Sequence, residues 1–126
     1  MAASVKCGPA WQLEHCFASN SAAPRFCWSL SALVWGEAPP ELVLLHGGAQ
    51  NAHTWDTVAL ALRRPLVAID LPGHGHSDGG RNGSLDLRAN ADDVATAIAA
   101  LAPDAAAVVG MSLGGLTATA LVAANP

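Results

Sequence analysis

The stretch Gly110-Met111-Ser112-Leu113-Gly114-Gly115 decides the fold, because it places a serine among small residues at the junction of two different patterns. Before it, Ala105 to Val109 is a short apolar run typical of a buried strand. After it, Leu113 to Ala124 is rich in Ala and Leu, which favours a helix. The G-x-S-x-G pattern between a strand and a helix makes a sharp turn that holds the serine hydroxyl clear of the sheet. The segment therefore predicts a nucleophile at Ser112.

The chain before this turn alternates between strand and helix patterns. Continuous apolar runs predict strands, and apolar residues at helical spacing predict helices. The predicted elements are a strand at Leu30 to Trp35, a strand at Glu41 to His46, a helix at Asn51 to Arg63, a strand at Leu66 to Ile69, and a helix that starts near Asp92 and Asp93 and closes at Pro103. Strands alternating with helices from residue 41 onward indicate right-handed crossovers and a parallel sheet.

A serine hydroxyl attacks a carbonyl only if a base takes its proton and N–H donors receive the resulting oxyanion. The N–H of Leu113 lies at the start of the predicted last helix, where it can be one such donor. The turn His46-Gly47-Gly48-Ala49 follows an earlier strand and is placed to supply a second donor. The turn Asp70 to Ser77 follows the next strand, so three turns occur in a consistent order.

With these three motifs, the segment from about Leu30 to Pro126 resembles the N-terminal part of the α/β-hydrolase superfamily. The resemblance implies an α/β fold with a mostly parallel sheet flanked by helices. It implies that Gly48, the residue after His-Gly, is the oxyanion donor of its loop. The D-x-P-G-x-G-x-S turn of the family is structural and is matched by Asp70, Pro72, Gly73, Gly75 and Ser77. A serine at the elbow favours a hydrolase of an ester or related acyl substrate over the dehalogenase and epoxide-hydrolase branches, which use Asp there.

Other side chains have simpler interpretations. His74 and His76 precede the serine, whereas this fold orders its triad as Ser, acid and then His. His53 and Trp55 are expected to pack beside the oxyanion loop or to face the substrate, and His46 to fix that loop. The remaining acids are expected to be solvated surface charges: Glu37, Glu41, Asp56, Asp78, Asp86, Asp92, Asp93 and Asp104.

The residues after Ser112 contain no Asp, Glu or His, so the triad is incomplete in these 126 residues. Because losing the base costs on the order of a millionfold in kcat, we expect a truncated hydrolase of low or no activity. A non-catalytic remnant that binds a ligand or a partner is the alternative. In such a truncated domain the run Ala105 to Val109 would be an exposed edge, which predicts poor solubility or self-association.

The overall composition and the absence of certain motifs argue against several other classes of protein. Six Lys and Arg stand against ten Asp and Glu, which excludes a nucleic-acid surface, and no apolar stretch reaches the roughly 20 residues of a membrane span. A nucleotide-binding unit is disfavoured because neither G-x-G-x-x-G nor a Walker lysine is present, and we expect no cofactor. Residues 1–29 are expected to be a leader outside the partial domain at 30–126, with no targeting signal. Its cysteines are expected to be free thiols without zinc, in a cytoplasmic protein: Cys7, Cys16 and Cys27.

Overall fold

The computed structural model describes residues 4–7, 12–17, 28–79 and 86–124. Its strands are β1 (Ser4–Cys7), β2 (Gln12–Phe17), β3 (Trp28–Trp35), β4 (Leu42–Leu45), β5 (Leu66–Ile69) and β6 (Ala107–Gly110). Its helices are α1 (Asp56–Leu62), which follows a turn of 3₁₀ helix (Ala52–Trp55), α2 (Leu87–Leu101) and α3 (Leu113–Ala124). From residue 30 onward, every strand and helix expected from the sequence is present.

The described strands form one mixed sheet in the order β1-β2-β3-β5-β4-β6. β4 lies parallel to both of its neighbours, β5 and β6. The other three pairings are antiparallel, so the sheet is parallel only in the part built after residue 41. Short links account for two of these pairings: a parallel crossover needs about a dozen residues or more, and the links from β1 to β2 and from β2 to β3 are shorter.

The sheet also continues across the boundary expected at residue 29. β2 pairs with β3 along its whole length, from Gln12 opposite Leu33 to Phe17 opposite Trp28. Cys7 ends β1 and Cys16 lies in β2, whereas Cys27 lies outside the described residues. The division of the chain into a leader and a partial domain stays a prediction, but two strands of the leader belong to the same sheet as the rest.

Alternate residues of β4 and β5 face opposite sides of the sheet and build two cores, as the period of a strand requires. Val43, Leu45, Val67 and Ile69 pack with Val94 and Ala97 of α2 on one side. Leu44, Leu66 and Ala68 pack with Ala52 and Ala59 on the other side. Full burial of one such Val, Leu or Ile side chain contributes about 1.5–3 kcal/mol to folding. The two central strands are therefore the most strongly held part of the sheet.

The second long helix begins earlier than expected and buries an acid. Asp86 caps α2, because its side chain accepts from the backbone N–H groups of Arg88, at 2.9 Å, and Ala89, at 3.4 Å. Asp93 lies about two turns further on and is fully buried, so its expected place at the surface is wrong. The apolar spacing explains this, since Asn90, Asp93, Val94 and Ala97 share one helical face.

Two further features complete the architecture. Asn51 caps the 3₁₀ turn, because its side chain accepts from the N–H of His53 at 2.9 Å. Arg63 ends α1 in a left-handed conformation with φ of 50°, and Pro65 follows. Across the described ranges, no helix is both long enough and apolar enough to cross a membrane.

Candidate active site

The three predicted turns meet at one edge of the sheet. Because β4, β5 and β6 run in the same direction, their carboxyl ends share that edge, and ligand sites of open α/β sheets form there. The N–H of Met111 donates to the carbonyl of Leu45 at 3.1 Å, which joins the serine turn to the end of β4. The structure thus brings the loops after β4 and β5 together with the turn after β6.

Ser112 occupies a strained position in this turn. Its φ is 51°, in the left-handed region, which costs an L-residue about 1–2 kcal/mol. Its side chain is exposed, and its Oγ makes no hydrogen bond with any described residue. A strained residue with an exposed, unengaged hydroxyl is the arrangement that a nucleophile elbow requires.

The glycines around Ser112 are needed for close backbone contact. A Cβ on Gly114 would lie 2.7 Å from the carbonyl oxygen of His46 and 2.6 Å from the carbonyl carbon of Leu45. A Cβ on Gly110 would overlap the carbonyl of Gly114. Any larger residue at these two positions would push α3 away from the end of β4. The G-x-S-x-G spacing therefore has a direct steric cause.

The loop after β4 turns sharply beside Ser112. The N–H of Gln50 donates to the carbonyl of Gly47 at 3.3 Å, and Ala49 has a φ of 59°, the combination found in a type II turn. The Gln50 side chain accepts from the N–H of Gly47 at 2.9 Å, a contact that the sequence did not suggest. A Cβ on Gly47 would lie 2.8 Å from Gln50 Oε1 and 3.5 Å from Ser112 Cβ. Glycine at 47 thus lets this loop lie against the serine.

Two backbone donors beside the serine have no acceptor. Within the described part of the chain, neither the N–H of Gly48 nor that of Leu113 donates a hydrogen bond to the protein. Leu113 is the first residue of α3, so its N–H also carries the positive end of the helix dipole. Donors without a protein acceptor at a helix start and a glycine turn can receive an anion, which an oxyanion hole must do.

His46 holds this loop with both ring nitrogens and is fully buried. Its Nδ1 lies 2.7 Å from the carbonyl oxygen of Gly47, and its Nε2 accepts from the N–H of Leu71 at 2.9 Å. Nδ1 must therefore carry the proton and Nε2 must be unprotonated. Burial lowers the pKa of His46, against smaller opposing effects of its Gly47 hydrogen bond and of Asp70. The expected loop-fixing contacts are present, and the ring cannot also serve as a base for Ser112.

Asp70 is the centre of the loop after β5 and is nearly fully buried. Its carboxylate accepts from the N–H of Ala52 at 2.7 Å and from the N–H of His76 at 3.0 Å. Its backbone carbonyl accepts from the hydroxyl of Ser77 at 2.6 Å. A Cβ on Gly75 would overlap the carboxylate, so only glycine fits there. His76 and Ser77 lie in the same turn as Asp70, whereas Ala52 precedes it by 18 residues, and the motif alone did not reveal that contact.

The side chains of His74 and His53 have partners other than the serine. His74 Nδ1 lies 3.0 Å from the Pro72 carbonyl, and its ring centroid is 5.1 Å from that of His46. His53 Nδ1 lies 2.9 Å from Asp56 Oδ2 on an exposed surface. Trp55 packs at the edge of the core beneath the 3₁₀ turn. Among the residues that the structure describes, no three His, Cys, Asp or Glu side chains are grouped to hold a metal ion.

Comparison with known proteins agrees with this geometry. The esterase Rv0045c of Mycobacterium tuberculosis is 52% identical over 98 residues, which are 78% of this chain and 33% of the esterase. The pimeloyl-[acyl-carrier protein] methyl ester esterase of Cronobacter sakazakii is 40% identical over 93 residues, covering 72% of this chain and 34% of that enzyme. The chain therefore spans about a third of the length of the curated relatives it matches.

Solved structures and a family model extend the match. A crystal structure of the Rv0045c esterase superposes with a TM-score of 0.72 at 46% identity, covering 95% of this chain and 40% of that one. Residues 40–126 match the family model described as the alpha/beta hydrolase fold. This chain belongs to the α/β-hydrolase family.

Proposed function

We propose that the chain carries the nucleophile and the oxyanion hole of a serine esterase. Ser112 is the nucleophile, and the N–H groups of Gly48 and Leu113 form the oxyanion hole. The observation that carries the proposal is the coincidence, at one sheet edge, of a strained exposed serine and two backbone donors without a protein acceptor. Both esterases named above are relatives of this chain, which supports ester hydrolysis as the reaction.

The reaction proceeds in two halves. Ser112 Oγ bonds to the ester carbonyl carbon as its proton passes to a base, and the carbonyl oxygen becomes an oxyanion held by Gly48 and Leu113. Collapse of this intermediate breaks the bond to the alcohol, which leaves with the proton. Water then attacks the acyl-serine by the same route and releases the carboxylic acid and free Ser112.

The base and its acid partner are not among these 126 residues on this proposal. The residues after Ser112 contain no Asp, Glu or His, and His46 is engaged by backbone groups at both nitrogens. The 126 residues by themselves are therefore proposed to have low or no activity. What they supply is the attacking atom and the anion-binding donors, and a histidine from elsewhere must complete the triad.

The proposed substrate is a small carboxylic ester or related acyl compound. One relative is named for a methyl ester attached to an acyl carrier protein, which supports an ester with a small alcohol as the first compound to test. A Cβ on Gly48 would meet nothing within 4 Å, so the space beside this donor is open.

We also propose that the chain self-associates through β6, whose Val108 and Val109 are substantially exposed.

The alternative function is a scaffold that binds an anionic ligand without turning it over. The missing acid and histidine favour it, whereas the strain at Ser112 has no purpose in a simple binding site. The two functions differ in one respect: only the esterase needs the Ser112 hydroxyl.

The deciding experiment combines hydrolysis of p-nitrophenyl acetate with labelling by a fluorophosphonate. In a form of the protein that includes the triad histidine, labelling and hydrolysis that disappear in Ser112→Ala support the esterase, while equal behaviour of the two proteins contradicts it. The 126 residues alone are expected to show little of either. Gly48→Ala and Gly48→Pro test the oxyanion hole as a matched pair. Proline suits the second position of this turn but lacks the N–H, so it should lower kcat by about 10²–10³-fold while alanine does not.

A further inference from the structure

We propose that His46 is a positioning residue for the oxyanion hole, which aims the Gly48 N–H through its hydrogen bond to the Gly47 carbonyl. This inference rests on the proposed function, because it assigns a cause to the orientation of one of the two donors. It goes further by giving the two nitrogens of one buried ring different tasks. Nδ1 sets the donor, and Nε2 ties the loop to its neighbour.

The peptide plane between Gly47 and Gly48 links the carbonyl that His46 holds to the proposed donor. In a trans peptide, the C=O of one residue and the N–H of the next are fixed on opposite sides of a rigid plane. The described residues contain no cis peptide bond. The direction of the Gly47 carbonyl therefore dictates the direction of the Gly48 N–H. A group that holds the carbonyl on the buried side turns the N–H toward the open side.

His46 is the group that holds this carbonyl most closely. The distance from Nδ1 to the Gly47 oxygen is 2.7 Å, whereas the N–H of Gln50 reaches the same oxygen at 3.3 Å. Two glycines flank the peptide, and glycine readily adopts several backbone conformations, so the backbone itself restrains the plane weakly. Without Nδ1–H, this peptide has one long hydrogen bond to keep it from rotating.

The second nitrogen fixes the ring itself. Nε2 accepts from the N–H of Leu71, which follows the buried Asp70, so the imidazole bridges the loops after β4 and β5. This contact also sets the tautomer, because an acceptor at Nε2 leaves the proton on Nδ1. Burial lowers the pKa of His46 and keeps the ring neutral, which preserves both contacts. The Leu71 contact thus makes Nδ1 the donor that Gly47 needs.

Two substitutions separate the tasks of the two nitrogens. In His46→Asn the side-chain NH₂ group takes the place of Nδ1 and can still donate to Gly47, but nothing reaches Leu71. In His46→Gln the longer side chain can place its oxygen near the Nε2 position and accept from Leu71, while the donor to Gly47 is lost. Each variant keeps one contact and removes the other, so they control for each other.

The measurement is ¹H–¹⁵N NMR of the chain, which needs no turnover. In the unsubstituted protein, His46 should show a protonated Nδ1 and an unprotonated Nε2. The Gly48 amide resonance should move in His46→Gln and stay near its original position in His46→Asn, and the Leu71 amide should do the reverse. The proposal is overturned if His46 of the unsubstituted protein is protonated at Nε2. It is also overturned if the Gly48 resonance moves in the same variant as the Leu71 resonance. The first result does not depend on whether a variant folds.

Ester hydrolysis gives the second readout and separates this inference from the proposed function. In a form of the protein that includes the triad histidine, kcat should fall roughly 10²-fold in His46→Gln with little change in KM. His46→Asn, which keeps the donor to Gly47, should retain most of the kcat. Equal rates in the two variants overturn the role of His46 while Ser112 keeps its own. Hydrolysis that survives Ser112→Ala overturns the proposed function, and the NMR result then decides the orientation of Gly48 alone.

Discussion

β5 and β6 are both four-residue apolar strands that end at a loop of the candidate site, yet they differ in how much of their side chains is exposed. All four residues of β5, Leu66 to Ile69, have no measurable exposure. In β6, Val108 is 39% exposed and Val109 is 42% exposed. β5 lies inside the sheet between β3 and β4, whereas β6 lies at the end of the strand order and pairs with β4.

The loops that follow differ in the same way. The loop after β5 is held by the buried carboxylate of Asp70 and by the ring of His46. The turn after β6 is held by close backbone contact at Gly110 and Gly114 and by the bond from Met111 to Leu45. One part of the site thus depends on side-chain burial and buried hydrogen bonds, and the other on the fit of backbone against backbone. Four predictions test this difference.

The largest effect on the free energy of unfolding is expected from shortening one side chain in each of the two strands. Ile69→Ala should lower the free energy of unfolding by about 2–5 kcal/mol, because it leaves a cavity between fully packed neighbours. Val109→Ala, at an exposed position, should lower it by less than about 1 kcal/mol. Urea unfolding followed by circular dichroism measures both values. Similar losses in the two variants would show that β6 is as well covered as β5.

The second effect concerns the backbone contact that holds β6. Gly114→Ala should destabilise the fold by about 3 kcal/mol, because the added methyl meets the backbone at the end of β4. Gly115→Ala is the matched control, since its Cβ would lie 3.4 Å from the carbonyl of Gly110, an ordinary contact. The control should gain about 0.5–1 kcal/mol from replacing a helical glycine. Losses of the same size at both positions would contradict the fit described for the elbow.

The third effect is a pH dependence of the free energy of unfolding, which arises in the loops that His46 joins. The unfolded pKa is 6.5 and the folded pKa is lower, so the unfolded state binds more protons below about pH 6.5. Stability from this group is present above pH 6.5 and is lost as the pH falls, by at most about 1.4 kcal/mol per pH unit. The difference between the native chain and His46→Gln, in urea unfolding at pH 7.5 and at pH 5.5, isolates it from other groups.

Hydrogen exchange locates the same effect in the structure. Residues 105–124, which include β6 and α3, contain no ionisable side chain. After correction for the slower intrinsic exchange at low pH, acidification should therefore lower protection first around Leu71 and Gly47, while the amides of β6 respond less. Uniform loss of protection along the chain would show that the two regions do not respond separately.

The smallest effect on stability is expected at the exposed strand, where association should change instead. Val108→Lys should alter the free energy of unfolding by less than about 0.5 kcal/mol, because surface substitutions usually do little. It should reduce self-association, since a charge on an edge strand opposes pairing with another chain. Sedimentation velocity over a range of concentrations measures this. Leu60→Lys, at a 65% exposed position of α1, is the control and should associate like the native chain.

The sequence predicted the elements that depend on local pattern. The apolar runs at β4 and β5, the helices after them and the turn at Ser112 follow from periodicity and from glycine positions, and the family was confirmed by the comparisons. The sheet order was not predictable in this way, because pairing between β3 and β5 joins distant segments. β1 and β2 show no clear alternation in a region rich in Ala, Ser and Cys.

Within the candidate site, the sequence identified residue types but not their partners. Spacing predicted turns after strands at Ser112 and at the glycines, and the structure has both turns at one edge of the sheet. It could not reveal that Asp70 reaches Ala52, that His46 uses both nitrogens, or that Gln50 folds back on Gly47. Such contacts depend on how loops from separate strands converge. The error at Asp93 has a different cause: its charge suggested the surface, whereas Val94 and Ala97 on the same helical face are buried.

The central place of β4 has a consequence for how the protein folds. Leu42 pairs with Leu66, about 24 residues along the chain, and with Ala107, about 65 residues along. Closing the longer loop costs about 1 kcal/mol more in chain entropy, so contacts between β4 and β5 should form before β6 docks. During synthesis the chain then passes through a stage in which the loop after β4 exists without Ser112. At that stage one edge of β4 is open, and a chaperone or a neighbouring nascent chain can bind it.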